Sequence, residues 1–387
     1  MEGIEKSLED RKEKNLFRIL RPARIRKEGK IFFKDKEYID FSSNDYLGLS
    51  GHSKIKEAAK NAVEAFGASS SASRLLSGSL DLHHQLENEI ALLKGKESAL
   101  VFNSGYQANV GIISAICGRG DVVFSDRLNH ASILDGVSLS GAKLFRFKHN
   151  DTSHLEELLN DQRRKFKKAL VISETVFSMD GDKCPLKKIA KLKDKYKFSI
   201  MVDEAHATGI FGKKGSGLVE EELVTDSIDL IMGTFSKALG SFGAYVACSK
   251  ELRDYLINFS RSFIYSTALP PAVISSNLAS LILLKEESFR RTELLKNSHY
   301  FRRELKKKGF NIKGKSQIVP LIVGNSENTV QLSQELQERG YWVLPIRPPT
   351  VPLGESRLRF SLTHYHTKEI LKKLIKDICQ ILGSTQS

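Results

Sequence analysis

The chain is short of several things, and each shortage closes a class of explanation. Its 387 residues include four cysteines, Cys117, Cys184, Cys248 and Cys379, widely separated and without a CxxC pair. That spacing argues against a disulfide framework or a zinc site and fits a reducing, cytoplasmic setting. No apolar run approaches the roughly 18 residues needed to cross a bilayer, so no membrane span is expected. The N-terminal stretch "MEGIEKSLEDRKEKNLFRIL" is charged throughout, lacks the apolar middle of a signal peptide, and reads as a surface helix. Internal repeats are absent, and the only compositional bias is the serine cluster "GASSSASRLLSGS" at 67–79.

What is present is an ordinary globular composition, 41% hydrophobic and 27% charged, long enough for two domains. The net charge of +14 raises the question of an acidic partner. The basic runs "RRKFKK" (163–168) and "RRELKKKG" (302–309) both have helical character and read as solvated faces. No zinc-finger spacing, RNP-type aromatic signature or basic heptad pattern points to nucleic acid, and none is expected as a partner.

The middle of the chain alternates continuous apolar runs with helical patterns: "SALVFNSG", "DVVFSD", "KALVISETVF", "SIMVDEAH", "SIDLIMGTFSK" and "AYVACS". Runs of this kind predict an α/β fold with a mostly parallel sheet covered by helices on both faces. Ligands in such sheets collect at the carboxyl ends of the strands. After "ALPPAV" a long helical stretch (about 272–308) leads to a strand, helix, strand, strand, helix pattern, which predicts a smaller α+β unit. The expected division is an N-terminal arm over 1–42, a large domain over 43–270 and a smaller one over 271–387. No flexible linker separates them, so they should pack together.

The polar residues closing each run carry the chemistry. Lys237 follows "DLIMGTFS" among small residues, either as a surface lysine or as a Schiff-base amine. Asp203 ends "SIMV" and His206 follows three residues later. Read blandly they are a helix cap and a structural histidine. Read chemically, an anion at 203 keeps a pyridine nitrogen protonated and an imidazole at 206 meets the ring's phenolic oxygen. Ser104, Gly105 and Tyr106 open a helix whose bare N–H groups suit a phosphate, with Thr234 and Ser236 adding hydroxyls. His130 alone reads as a structural histidine; in a pyridoxal enzyme it would stack on the ring and bond the substrate, Ser178 would touch the ring, and Glu174 would act on an acyl group or support its loop. Together these describe a site for pyridoxal 5′-phosphate carried on Lys237.

The set "SSNDYLGL", "SGYQAN", "NHAS", "ETVFSMDGD", "VDEAHATG", "GTFSKALG", "IYST" and "RPPTVPLGESRLRFSLT" resembles the α-oxoamine synthases, from about residue 8 to the last helix. That resemblance implies the type I fold of pyridoxal-phosphate enzymes. It also implies decarboxylative condensation of an amino acid with an acyl thioester, in a homodimer with shared active sites. Among the family's activities, "SSNDYLGL" and "RPP" are most similar to the branch that joins L-alanine to a pimeloyl thioester, carried on CoA or on a carrier protein, in biotin biosynthesis. Sister branches using glycine or serine are the alternative. Carried over by position, the resemblance makes Lys237, His130 and Asp203 catalytic. Gly105, Tyr106, Ser178, His206, Thr234 and Ser236 become cofactor contacts. Arg359 would grip the amino-acid carboxylate, with Asn44, Arg18, Arg347 and Thr350 on the substrate side. Tyr265, Ser266 and Thr267 would reach the phosphate of the neighbouring subunit. One departure stands out: "ASSSASR" (68–74) replaces a "GSGGSR" found in relatives, which bears on the backbone path there.

Overall fold

Strands that are apolar from end to end occupy the centre of the molecule, and the polar residues that end them gather along one edge. The computed structural model describes residues 3–13 and 16–383; parts of the N-terminal stretch read as helical (1, 2, 14 and 15) lie outside the described residues. The helix Ile4–Glu13 has no buried residue, as a surface helix should. It is followed by the short antiparallel strands β1 (Ile25–Lys27), β2 (Lys30–Phe33) and β3 (Lys36–Asp40).

The large sheet comprises β4 (Ser98–Phe102), β5 (Val122–Asp126), β6 (Lys143–Phe147), β7 (Ala169–Glu174), β8 (Ser199–Asp203), β9 (Leu230–Thr234) and β10 (Ala244–Cys248). Their order is β4-β10-β9-β8-β7-β5-β6. All neighbours from β9 to β6 are parallel, and β10 runs antiparallel to both β9 and β4. Both faces are buried: Ile200 and Val202 of β8 enter one apolar core, and Met201 between them enters the other. Two-sided burial is why these runs carry no polar alternation.

Toward the C-terminus come β11 (Ile318–Gly324), β12 (Tyr341–Trp342), β13 (Pro345–Ile346) and β14 (Ser356–Ser361). Strand β14 lies between β11 and β13, antiparallel to both. Strand β12 instead pairs in parallel with β3, Tyr341 opposite Ile39, so the N-terminal arm and the C-terminal part share a sheet. One core cluster runs through Phe41, Val202, Phe360 and Leu371, and the parts do pack together.

Four features depart from the sequence reading or refine it. Strand β6 was not anticipated: "KLFRF" is an edge strand with exposed Lys143 and Arg146, so it offers no continuous apolar run. The long stretch 272–308 is two helices, Pro271–Glu286 and Phe289–Lys307. The chain turns at Glu287, whose carboxylate is held by His52 at 3.3 Å and Arg290 at 2.5 Å. "RRKFKK" is only briefly helical: a single 3₁₀ turn at Arg163–Lys165 precedes β7. In the 68–74 loop, Ser71 adopts φ 59°, a left-handed conformation that glycine takes without penalty and serine takes at a cost of about 1 kcal/mol.

Behind the strand ends lies a buried ion pair. Lys94 Nζ donates to Glu204 Oε2 at 2.7 Å and to Thr208 Oγ1 at 2.9 Å, and both charged side chains are fully enclosed. Burial opposes the ammonium, but the Glu204 carboxylate and Tyr245 outweigh it and hold the Lys94 pKa above the ordinary lysine value. Glu204 Oε1 also accepts the Val219 N–H at 2.9 Å, and a Cβ on Gly217 would stand 2.2 Å from that carboxylate. The pair therefore pins the segment 204–208, which carries His206. Lys94→Met should destabilise the protein by about 3–5 kcal/mol in chemical denaturation, because it leaves an unpaired buried carboxylate. Adding Glu204→Gln should recover part of the loss.

Candidate active site

Five strands of the large sheet end in a polar group at the same edge: Ser104 beyond β4, Asp126 on β5, Glu174 on β7, Asp203 on β8 and Thr234 on β9. Ser104 caps the helix Gly105–Ile116, its Oγ accepting the Gln107 N–H at 3.2 Å. The N–H groups of Gly105 and Tyr106 have no hydrogen-bond partner among the described residues. A Cβ on Gly105 would meet nothing nearer than Met232 Cε at 3.8 Å, so space stands open at that helix start. The Tyr106 ring is half exposed and its hydroxyl bonds Asp135. Thr234 is buried and its hydroxyl donates to Gly243 O at 2.8 Å. Ser236 is exposed and its hydroxyl donates to Thr234 Oγ1 at 2.7 Å.

At the centre, Lys237 Nζ lies 3.0 Å from His206 Nε2, and His206 Nδ1 lies 2.7 Å from the Tyr46 hydroxyl. Burial, followed by the charge of Lys237, pushes the His206 pKa well below the ordinary histidine value, so its ring is neutral. Burial raises Tyr46, so its phenol is neutral too. The bond directions then follow. Lys237 donates to Nε2, the Nδ1–H donates to Tyr46, and Tyr46 donates to Asn44 Oδ1 at 3.0 Å. Burial also lowers the Lys237 pKa, with Arg359 adding to the effect and Asp203 and Glu174 opposing it. The Asp203 carboxylate is held by the Ala205 N–H at 2.9 Å and by Asn109 Nδ2 at 3.0 Å.

From the other sheet, β14 sends Arg359 into the same cluster. Its guanidinium donates to Ser361 Oγ at 2.6 Å and from two nitrogens to Asn44 Oδ1 at 3.3 Å, reaches Tyr46 OH at 3.4 Å, and bonds Ser178 O. Glu174 is enclosed on β7 opposite Asp203. Burial and then the charge of Asp203 push its carboxyl well above the usual range, against the pull of Lys237. His130 caps the helix Ala131–Ser140 and remains exposed, with Nδ1 2.8 Å from Ser132 Oγ.

The structure thus brings together Lys237, His206, Asn44, Arg359 and Ser178 through direct contacts, with Asp203 and Glu174 acting on Lys237 through their charge. His130 joins them through Ser132 and Asn109 to Asp203, while Arg18, Thr350, Ser266 and Thr267 make no hydrogen bond to these groups among the described residues. Arg18 is exposed on the extended stretch before β1, Arg347 is half-buried near the cis Pro348–Pro349 peptide, and Thr350 is exposed. Ser266 donates to Ser262 O at 2.7 Å, and Thr267 is exposed beside it. Three participants escaped the sequence reading: Tyr46, Asn109 and Ser132. Each lies inside a motif already singled out, but a phenol, an amide and a hydroxyl give no chemical signal until their partners are known.

A primary amine made less basic by burial, a carboxylate at the neighbouring strand end, and a helix start with free N–H groups form the donor set that pyridoxal phosphate requires. The comparisons agree. A family model described as aminotransferase class I and II matches residues 36–378. The chain belongs to the class I and II aminotransferase family, in its α-oxoamine synthase branch. It is a pyridoxal-phosphate enzyme of fold type I. Members of the family similar to it include the 8-amino-7-oxononanoate synthase of Geotalea daltonii, 46% identical over 384 residues and 98% of each chain. That of Pelobacter propionicus is 47% identical over 371 residues and 95% of each chain. Among solved family structures, serine palmitoyltransferase of S. paucimobilis with a bound PLP–myriocin aldimine superposes with a TM-score of 0.92 at 29% identity, covering 99% of this chain and 98% of its own. The 8-amino-7-oxononanoate synthase of Francisella tularensis gives 0.78 at 31% identity, covering 89% and 98%.

The loop carrying Ser178 is anchored by His149, whose Nδ1 lies 3.0 Å from Asp126 Oδ1 and whose Nε2 lies 2.7 Å from Asp182 Oδ2. Burial alone would lower its pKa, but the two carboxylates outweigh burial and raise it to about 9. A raised histidine stabilises the fold fully below its ordinary pKa of about 6.5, and that contribution vanishes as pH climbs through about 9. Stability measured by denaturation should therefore fall by about 3 kcal/mol across that window. His149→Gln should flatten the dependence.

Proposed function

We propose that the protein joins L-alanine to a pimeloyl thioester, on CoA or a carrier protein, with loss of CO₂, giving 8-amino-7-oxononanoate for biotin synthesis. The observation that carries this reading is the lysine–histidine contact at the strand ends, with Arg359 beside it, in a chain 46–47% identical to synthases of that name. Lys237 would hold the cofactor's aldehyde carbon and Asp203 its ring nitrogen, with His206 at its phenolic oxygen. Gly105, Tyr106, Thr234 and Ser236 would hold its phosphate.

The bound cofactor supplies an electron sink for negative charge at the amino acid's Cα. The chain's own residues do the rest. Arg359 now donates to the neutral oxygens of Asn44 and Tyr46, and the alanine carboxylate is a stronger acceptor for the same guanidinium. Lys237, with its pKa lowered, suits moving the proton at Cα. His130, exposed at the site, would donate to the thioester carbonyl as charge grows on its oxygen. In the net reaction a Cα–C bond forms as the C–S bond breaks, and the alanine carboxyl leaves as CO₂.

The homodimer belongs to the same reading. Leu76 and Tyr265 are 80% and 72% exposed and would be covered by a second copy of the chain. Ser266 and Thr267, which lie outside the cluster in one chain, would complete the partner's phosphate site, with Arg18, Arg347 and Thr350 lining the acyl side. Four unpaired cysteines suit the cytoplasm.

A sister activity on serine or glycine has one observation in its favour, the TM-score of 0.92 to serine palmitoyltransferase, but at 29% identity. Mass analysis of the product decides between them. The reconstituted enzyme should form 8-amino-7-oxononanoate from L-alanine and pimeloyl-CoA, and Lys237→Ala should abolish it. Preferential turnover of serine or glycine with another acyl-CoA would replace this reading with the sister one.

A further inference from the structure

Between Asp203 and His130, which belong to different strand ends, runs a short chain of hydrogen bonds through two residues to which the proposed reaction assigns no part. Asn109 sits on the helix Gly105–Ile116 and is 1% exposed; Ser132 sits on the helix Ala131–Ser140 and is fully buried. These helices approach closely because residue 136 is glycine: a Cβ there would lie 3.0 Å from Asn109 O and 3.1 Å from Ile113 Cβ. Asn109 Nδ2 lies 3.0 Å from Asp203 Oδ2 and 3.0 Å from Ser132 Oγ, and Ser132 Oγ lies 2.8 Å from His130 Nδ1.

The directions of these bonds are fixed in turn. An ionised carboxylate only accepts, so Asn109 presents its NH₂ group to Asp203 and spends its second hydrogen on Ser132 Oγ. The orientation is costly, because Asn109 Oδ1 is left buried without a partner. An amide kept here at that cost serves as a double donor. The Ser132 backbone N–H donates to His130 Nδ1 at 3.3 Å, which makes that nitrogen an acceptor. The Ser132 hydroxyl, accepting from Asn109, therefore turns its own hydrogen toward the same nitrogen. Two donors converge on Nδ1, so the imidazole proton resides on Nε2.

We propose that Asn109 and Ser132 are positioning residues that use the negative charge of Asp203 to fix the tautomer of His130. His130 thereby meets the acyl donor as an Nε2–H hydrogen-bond donor and not as a base. The effect on catalysis rests on the cofactor and thioester assignments of the preceding section. The tautomer itself does not.

The test is ¹⁵N NMR of the full-length holoenzyme labelled at histidine, with the His130 signal identified by its loss in His130→Gln. In the wild type, Nδ1 should resonate in the unprotonated range and Nε2 in the protonated one. Ser132→Ala should give a mixture of tautomers and lower kcat about tenfold, the worth of one neutral hydrogen bond, with KM for alanine unchanged. Ser140→Ala, on the same helix but bonded to Val137 O, should alter neither. A wild-type His130 protonated at Nδ1 overturns the proposal without any variant, and so does a Ser132→Ala spectrum identical to the wild type. Failure of the underlying site reading is seen separately, as the absence of the cofactor's visible absorbance in the wild-type protein.

Discussion

Lys237 Nζ and His206 Nε2 meet at 3.0 Å because β8 and β9 are parallel neighbours whose following turns emerge side by side at one sheet edge. The other parts of the site are arranged around that contact. Tyr46 closes it from the stretch after the N-terminal strands, and Asn44 orders Tyr46. Arg359 reaches both from a separate sheet. Burial keeps the imidazole and the phenol neutral, so the amine is the donor at the head of a directed chain. A lysine held this way is less basic than one in water, as an amine that bonds a carbonyl carbon and later moves a proton has to be.

The fold supplies this arrangement from behind as well as from the front. Lys94 and Glu204 anchor the segment between Asp203 and Thr208 that presents His206. At the other end of the site, the loop after β7 is tied in two directions. His149 binds it to β5 through Asp126 and Asp182. Arg357, completely buried, binds it to β14 through Asp180. Arg357 and Arg359 alternate with apolar residues on one strand, so the small sheet contributes structural and substrate-side guanidinium groups from adjacent turns of the same pleat.

Much of this was legible in the chain. Continuous apolar runs located β4, β5, β7, β8, β9 and β10 because each is buried on both faces, and the polar residue closing each run marked the ligand edge. Edge strand β6 was invisible for the same reason: with one side in solvent it carries Lys143 and Arg146 and loses the pattern. The break at Glu287 depends on ion pairs to distant or nearby side chains, His52 and Arg290, that periodicity does not encode. Within the site, groups with distinctive chemistry, an amine at 237, a carboxylate at 203 and imidazoles at 130 and 206, could be named from sequence. Tyr46, Asn109 and Ser132 could not, since their importance lies wholly in which atoms they join. The serine at 71 shows the opposite case, a residue whose identity suggested a different backbone but which keeps a left-handed conformation.

The central claim is that one amine among the chain's many lysines is the cofactor's attachment point. Borohydride reduction of the pyridoxal-phosphate-loaded protein, followed by peptide mass mapping, addresses it directly. A single pyridoxyl adduct should be found on the peptide containing Lys237. An adduct at Lys94 or on surface lysines, with the Lys237 peptide unmodified, would contradict the account.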